Sequence, residues 1–434
     1  MGPWLVGSAS LAGSLAVFIM WLHDTPPVVG EGPWLVAVGR VTGLEGTYAL
    51  LLTIVLLARV WWIERLVGME HLFTWHRRVS HTAVALLVAH AFFIIWGYAV
   101  SFHASVPAEA KYQVLDLPDV LAATVALALL VALAVVSLRR LRRRLAYQTW
   151  YFIHLYAYVA VALSFAHQFA TGADFASHPL NRELWGGGYV LTFGLLVWYR
   201  AIVPVRSSWR HHLRVSHVEP EGAGSTSIYI TGRNLAALGG EPGQFFIWRF
   251  LTRDGWWQAH PFSLSAPVHE DRLRLTVRAS GDFTSALPAL PQGSRVVAEG
   301  PFGRFTARAR RRRRVVLVAA GAGIAPVRAL FETIAADPGE LTLIFRAHDE
   351  TDLSLRAEID RIASERGARV EYVVGSRAER TEFDDPMALA DFVGRSDDCD
   401  VFLCGPRGFM ERSRRTLIAM GVPRGRVHAE YFET

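Results

Sequence analysis

The chain's 434 residues allow two or three domains, and a hydrophobic content of 52% with positive mean hydropathy excludes an ordinary water-soluble enzyme. Nearly all of the net charge of +6 is arginine, and the one basic run, Arg310 to Arg314, precedes an apolar strand pattern without interleaved aromatics; no nucleic-acid partner is expected, and the run suits a solvated loop that meets anionic lipid headgroups. Two cysteines, Cys399 and Cys404, exclude a disulfide framework and suit a reducing cytosol.

Uncharged apolar runs fill the chain as far as about Val205, at about residues 4–22, 41–63, 79–100, 118–138, 149–170 and 186–205. Each approaches the roughly 20 residues that a helix needs to cross a bilayer, so six transmembrane helices are predicted. The first run has no basic n-region and five more follow it, which marks it as a span and not a cleaved signal peptide. Arg59, Arg65, Arg77 and Arg78 fall between spans two and three, Arg139 to Arg144 between four and five, and Arg200, Arg206 and Arg210 after six. Those loops face the cytosol by the positive-inside rule, and with them the N-terminus and the C-terminal half of a multi-pass protein of the plasma (inner) membrane.

Histidines at bilayer depth are costly without a partner, and spans three and five hold four of them. His76 and His90 are 14 residues apart, His154 and His167 are 13 apart, and both spans run from cytosol to exterior. His76 is therefore level with His154, and His90 with His167. An iron gripped on both faces by neutral imidazoles needs such cross-helix couples, and two haems separated by about 20 Å would stack through the bilayer. A step of 14 returns to within about 40° of one helix face, whereas a step of 13 misses by about 140°. Span five therefore needs a local distortion, or its haems are approached from different edges. His81 faces elsewhere, and His71, His211 and His212 are expected to be solvated beside the membrane. Arg40, near the outer end of span two, is a partner for a haem propionate or for Glu45.

From about Leu213 to Glu299 the rhythm is that of short strands, as in Ser225 to Thr231, Gln244 to Phe250 and Leu273 to Arg278, which suits a small antiparallel barrel. His260-Pro261-Phe262-Ser263 sets an aromatic and a hydroxyl beside a proline-fixed backbone, suited to stacking on a flavin ring. Gly281-Asp282-Phe283-Thr284 offers small residues and backbone N–H groups suited to a pyrophosphate. From Arg314 strands and helices alternate as in a doubly wound parallel sheet, beginning with Val315 to Ala320. The loop Gly321-Ala322-Gly323-Ile324-Ala325-Pro326 follows that strand where glycines admit a phosphate to a helix N-terminus, and Cys404-Gly405-Pro406 closes a later strand at the same edge. The expected domains are 1–206, a six-span haem bundle, 207–308, an FAD-binding β-barrel, and 309–434, an NAD(P)-binding α/β domain.

In this order the motifs resemble the ferric reductase and NADPH oxidase superfamily over essentially the whole chain. The resemblance implies two b-type haems, one held by His76 with His154 and one by His90 with His167. It implies FAD held by His260, Pro261, Phe262, Ser263, Arg278 and the Gly281, Asp282, Phe283, Thr284 turn. NADPH or NADH would lie at Gly321, Gly323, Ile324 and Pro326, with Cys404, Gly405 and Pro406 beside the nicotinamide and Arg346 and Arg377 at its ribose or 2′-phosphate. Phe432, in Glu430-Tyr431-Phe432, matches the aromatic that covers the flavin until the nicotinamide displaces it. The chain departs from the family in two places: Glu433 and Thr434 follow Phe432, and Ile94 stands where eukaryotic oxidases place a further histidine.

The implied function is outward electron transfer from cytosolic NAD(P)H, with Phe262, Ser263, Cys404 and Phe432 closest to the chemistry. Dioxygen giving superoxide is the expected acceptor. A ferric chelate and a periplasmic partner protein are the alternatives.

Overall fold

A backbone at bilayer depth has no water to bond, so each long uncharged run must satisfy its own N–H and C=O groups, which it does as helix. The computed structural model describes all residues except 1, 26, 173, 174, 176, 177, 223, 377–381, 395–397, 433 and 434. Chain contacts divide it into two units, Met1–Arg200 and Ala201–Thr434.

The first unit is helical throughout: α1 (Gly2–Asp24), α2 (Glu31–Leu57), α3 (Trp61–Val67), α4 (Met69–Ser101), α5 (Val106–Asp116), α6 (Val120–Val136), α7 (Arg139–Arg142), α8 (Tyr147–Leu163), α9 (Phe165–Thr171) and α10 (Pro179–Val197). Five stretches are long and apolar enough to cross a membrane, or six if α5 and α6, bent by 109° at their junction, form one broken span. Several boundaries differ from those expected. Span two is helix from Glu31, since Pro33 sits in the first turn where its missing N–H costs nothing, and it stops at Leu57 because Arg59 takes a positive φ of 62°. Residues 61–63 belong to α3. The expected loop 101–117 contains α5, whose Glu109 and Gln113 bury their side chains and bond each other at 2.9 Å. Span six begins at Pro179, passes through a π-helical turn at Trp198–Ile202 and continues as α11 (Val203–His211) into the second unit.

In the second unit six strands come first: β1 (Arg214–Pro220), β2 (Ser225–Thr231), β3 (Phe245–Phe250), β4 (His260–Ser263), β5 (Arg272–Arg278) and β6 (Val296–Phe302). They form two antiparallel sheets, ordered β1-β2-β5 and β4-β3-β6. Single bridges, Arg214↔Arg295 and Leu264↔Leu275, link the two sheets at their edges. Alternate side chains, among them Ile228, Ile230, Phe246, Trp248, Leu273 and Leu275, fill the interior. The short helix α12 (Asp282–Ala286) follows β5.

A five-stranded parallel sheet completes the unit, in the order β11-β10-β7-β8-β9, from β7 (Arg314–Ala320), β8 (Leu341–Ala347), β9 (Arg369–Val374), β10 (Cys399–Pro406) and β11 (Val427–Phe432). Helices α13 (Ile324–Thr333), α14 (Arg356–Arg366), α15 (Pro386–Val393) and α16 (Arg407–Ala419) connect the strands. Separate apolar clusters cover the sheet's two faces, one around Phe331, Phe345 and Phe402, the other around Val316, Leu403 and Met410. Its doubly wound form is the one expected.

The basic run is tethered by a buried acid. Asp400, fully buried at the start of β10, accepts the backbone N–H groups of Arg311 and Arg312 at 2.7 and 2.6 Å and the His428 Nε2–H at 2.9 Å. Asp400→Ala would orphan all three donors and is expected to cost about 3 kcal/mol. A reduced denaturation midpoint of the second unit's signal, with helical content unchanged, is the measurement.

Candidate functional site

The rings of His76 on α4 and His154 on α8 stand 6.2 Å apart between centroids, at 72°. A histidine–metal bond is about 2 Å and an imidazole centroid lies about 1 Å behind the nitrogen, so two rings sharing one ion are separated by about 6 Å. The couple therefore fits a six-coordinate iron. His76 Nδ1 lies 3.1 Å from the Thr53 carbonyl and His90 Nδ1 2.7 Å from that of Gly39. A carbonyl only accepts, so each Nδ1 carries the proton and each Nε2 keeps its lone pair for a metal. Trp150 stacks on His154 at 5.0 Å, and His90 and His167 lie within electrostatic reach of each other.

Span five carries a local interruption. Helix α8 ends at Leu163, Ser164 interrupts it, and α9 resumes at Phe165, so the break falls between the two histidines. Gln168 bridges the interruption by donating to the Ser164 carbonyl at 2.7 Å.

Helices α2 and α4 meet along glycine. A Cβ added at Gly32, Gly39, Gly43 or Gly46 would lie 2.3 Å from Ser101, 2.8 Å from Ile94, 2.5 Å from His90 and 3.0 Å from Leu87 respectively. Each pair of numbers sums to 133, the constant register of two antiparallel helices. Ile94 is thus a packing residue. Nearby, Glu45 accepts from Ser14 Oγ at 2.8 Å, and Arg40 is half-buried one residue beyond Gly39. His81 bonds the carbonyl of Arg77 within its own helix, as a surface residue does. His211 is not solvated as expected: it is buried, with Nδ1 2.9 Å from the Arg233 carbonyl.

On the barrel, the rings of His260, Phe262 and Phe283 are parallel to within 20°, His260 and Phe283 being 3.8 Å apart. Burial lowers the His260 pKa, so the ring is neutral. Beside it Pro261 is exposed, and the buried Ser263 Oγ meets no partner among the described residues. An orphaned hydroxyl next to an aromatic wall fits a flavin, whose ring offers hydrogen-bonding edges. Thr284 Oγ1 already accepts the N–H groups of Ser280 and Gly281 at 2.8 and 3.0 Å, leaving those of Asp282 and Phe283 at the head of α12. Arg278 turns to Asp352 at 2.7 Å.

Gly321 has φ +54° at the end of β7, and a Cβ at Gly323 would lie 2.2 Å from the Cys404 carbonyl. The two loops at this sheet edge are therefore in backbone contact, which only glycine permits. Ile324 and Pro326 are buried at the head of α13. A cleft of about 270 Å³ opens there, lined by Arg278, Gly321, Arg346, Asp352, Pro406 and Arg412 among others. Arg346 also donates to the carbonyls of Val373 and Gly375 at 3.2 and 2.6 Å. Cys404 is buried between Ala319 of β7 and Glu430 of β11, and burial pushes its thiol well above the usual pKa. Arg377 lies outside the described residues, as does the side chain of Phe432, whose backbone pairs with Pro406.

Residues 42–165 match the family model of the ferric reductase like transmembrane component, residues 224–306 that of an FAD-binding domain and residues 317–415 that of an oxidoreductase NAD-binding domain. The chain has the ferric reductase/NADPH oxidase-like architecture. The ferric-reductase-like match contains His76, His90 and His154 and ends two residues before His167. A flavohemoprotein of Bordetella pertussis is 28% identical over 251 residues, 52% of this chain and 61% of that protein. The ferredoxin reductase component of 3-ketosteroid-9-alpha-monooxygenase from Mycobacterium tuberculosis is 28% identical over 198 residues, 44% of this chain and 55% of that protein. The chain thus spans somewhat over half the length of these relatives. The flavohem-like FAD/NAD-binding domain of nitric oxide dioxygenase from Vibrio cholerae O1 biovar El Tor superposes with a TM-score of 0.43 at 23% identity, covering 51% of this chain and 98% of that one.

The sequence reading of this ferric-reductase-like chain missed the glycine seam and Trp150. A signal for the seam was present: Gly39, Gly43 and Gly46 follow the small-residue spacing of close helix pairs. Replacing Gly43 by Leu is expected to push His90 aside and halve the b-type haem absorbance per protein, whereas Gly187→Leu, in open space, retains it. Cys404, a neutral buried thiol, is expected to alkylate slower in native than in unfolded protein by on the order of tenfold or more at pH 7.5, read by peptide mass spectrometry.

Proposed function

We propose that this chain carries electrons from cytosolic NADPH or NADH, by way of FAD and two b-type haems, to dioxygen outside the membrane, giving superoxide. The observation that carries this reading is the 6.2 Å approach of His76 and His154; His90, about 20 Å further along α4, would form the second couple with His167. FAD, once bound, supplies the exchange between the hydride chemistry of a nicotinamide and the single electrons that a six-coordinate haem accepts.

The protein's own groups divide the rest of the work. The Gly39 and Thr53 carbonyls hold the two α4 imidazoles in one tautomer, so that each binds metal without a proton to lose. Ser263 presents its unpaired hydroxyl to a flavin edge, and the near-parallel His260, Phe262 and Phe283 rings keep water from its face. Gly321 and Gly323 bring bare backbone to a dinucleotide pyrophosphate, and Cys404, a buried uncharged thiol, stands behind the Pro406 that lines the cleft. With the arginine-rich loops cytosolic, electrons move down the membrane potential, which contributes roughly 2.3 kcal/mol per 100 mV.

Two six-coordinate haems would offer no open iron site, so dioxygen would be reduced outer-sphere.

Purified protein in nanodiscs, given NADPH or NADH, is expected to reduce cytochrome c in a superoxide-dismutase-sensitive way. Ferric chelate reduction under nitrogen without any superoxide signal would overturn the choice of acceptor. Reduction only of a co-purified periplasmic protein would do the same. His90→Leu and His154→Leu are each expected to lose a haem and slow acceptor reduction by on the order of a hundredfold, while nucleotide still bleaches the flavin. A reduced-minus-oxidised spectrum without b-type bands in the unmodified protein would sink the whole reading.

A further inference from the structure

Helix α13, opened by the glycine loop, buries an arginine. Arg328 is 2% exposed within the otherwise apolar run from Ile324 to Phe331. Its guanidinium donates to Glu332 at 2.5 Å, to Glu358 of α14, and to the backbone carbonyl of Ser265 at 3.2 Å. The second oxygen of Glu358 meets Arg274 of β5 at 3.0 Å. Arg274 in turn holds Ser265 twice, Nε to Oγ at 3.1 Å and a terminal N–H to the carbonyl at 3.0 Å. Thr276 closes the set by donating to Ser265 Oγ at 2.8 Å. Ser265 is fully buried and lies two residues after Ser263.

We propose that Arg328, Glu358 and Arg274 form a clamp of positioning residues that sets the distance between the flavin-binding strand and the nicotinamide loop. The inference rests on the NAD(P)H and FAD reading above. None of the three lines the cleft; the clamp acts through Ser265 on one side and the body of α13 on the other. Hydride transfer needs its two carbons about 3–3.5 Å apart, and an error of about 1 Å costs on the order of a hundredfold in rate. Apolar packing alone resists separation of the two layers but not sliding. Two planar guanidinium forks on one carboxylate resist sliding too, because each hydrogen bond is directional. A buried ion set adds little stability over well-packed apolar side chains of the same volume. Geometry is what it adds.

The test uses the full-length holoprotein, rapidly mixed with NADPH or NADH under nitrogen while flavin bleaching is followed. Arg328→Met and Glu358→Gln are expected to keep their FAD, to change nucleotide affinity less than about threefold, and to slow flavin reduction at saturating nucleotide by on the order of tenfold or more. Nucleotide deuterated at the transferred position should then show a larger isotope effect on turnover than in the unmodified protein, and Arg328→Lys should recover part of the rate. Flavin reduction at the original rate in FAD-replete Arg328→Met or Glu358→Gln overturns the clamp. So does a rate loss that merely tracks lost FAD in all three variants. If Arg328→Met fails to fold, Glu358→Gln decides by the same readings. Unmodified protein whose bound flavin no nicotinamide nucleotide bleaches would overturn the functional reading itself, a result distinct from the others.

Discussion

Two backbone carbonyls on α2 govern the membrane half. The Gly39 and Thr53 oxygens each take the Nδ1 proton of a histidine on α4, which fixes the ring's rotation and tautomer and leaves Nε2 as the donor atom. Neither bond forms unless the helix axes come unusually close, and the glycines at 32, 39, 43 and 46 supply that approach. Helical carbonyls are normally spent within their own helix, so these two oxygens act as bifurcated acceptors, using the second lone pair.

The same economy of backbone contact recurs at the sheet edge. Gly323 abuts the Cys404 carbonyl and Gly405 abuts Ala320, so the loop after β7 and the loop after β10 form one continuous surface. A side chain at either glycine would part them. Around this surface polar groups are paired across the layers of the second unit, as in Arg278 with Asp352 and Ser354 with Ser225 at 2.8 Å. Pairing across layers holds the barrel and the parallel sheet as one body, a condition for any chemistry that needs groups from both.

Charge is handled differently in the two units. The membrane half gives its acids single polar partners, Glu109 with Gln113 one turn away and the half-buried Glu45 with Ser14 of α1. The second unit buries arginine and aspartate outright, at Arg328 and Asp400, and gives each several directional bonds, although the Nε of Arg328 meets no partner among the described residues. Buried polar groups left half satisfied would be destabilising, so each of these clusters is an all-or-none feature of the fold.

Hydropathy alone determined that the first 200 residues form membrane-crossing helices, because apolar length is a local property. Strand alternation likewise marked the barrel and the parallel sheet, and motif order marked the ferric-reductase-like architecture. The levels of His76 and His154 followed from counting residues. What needed tertiary structure was everything set by a neighbour distant in sequence. The interruption at Ser164 between α8 and α9, the helix α5 in place of a loop, the burial of His211 beside the Arg233 carbonyl and the arginine pair closing on Ser265 all belong to this class. Each depends on a partner as far as 63 residues away or on the packing of a whole helix, and a periodicity read over one or two turns carries no information about either.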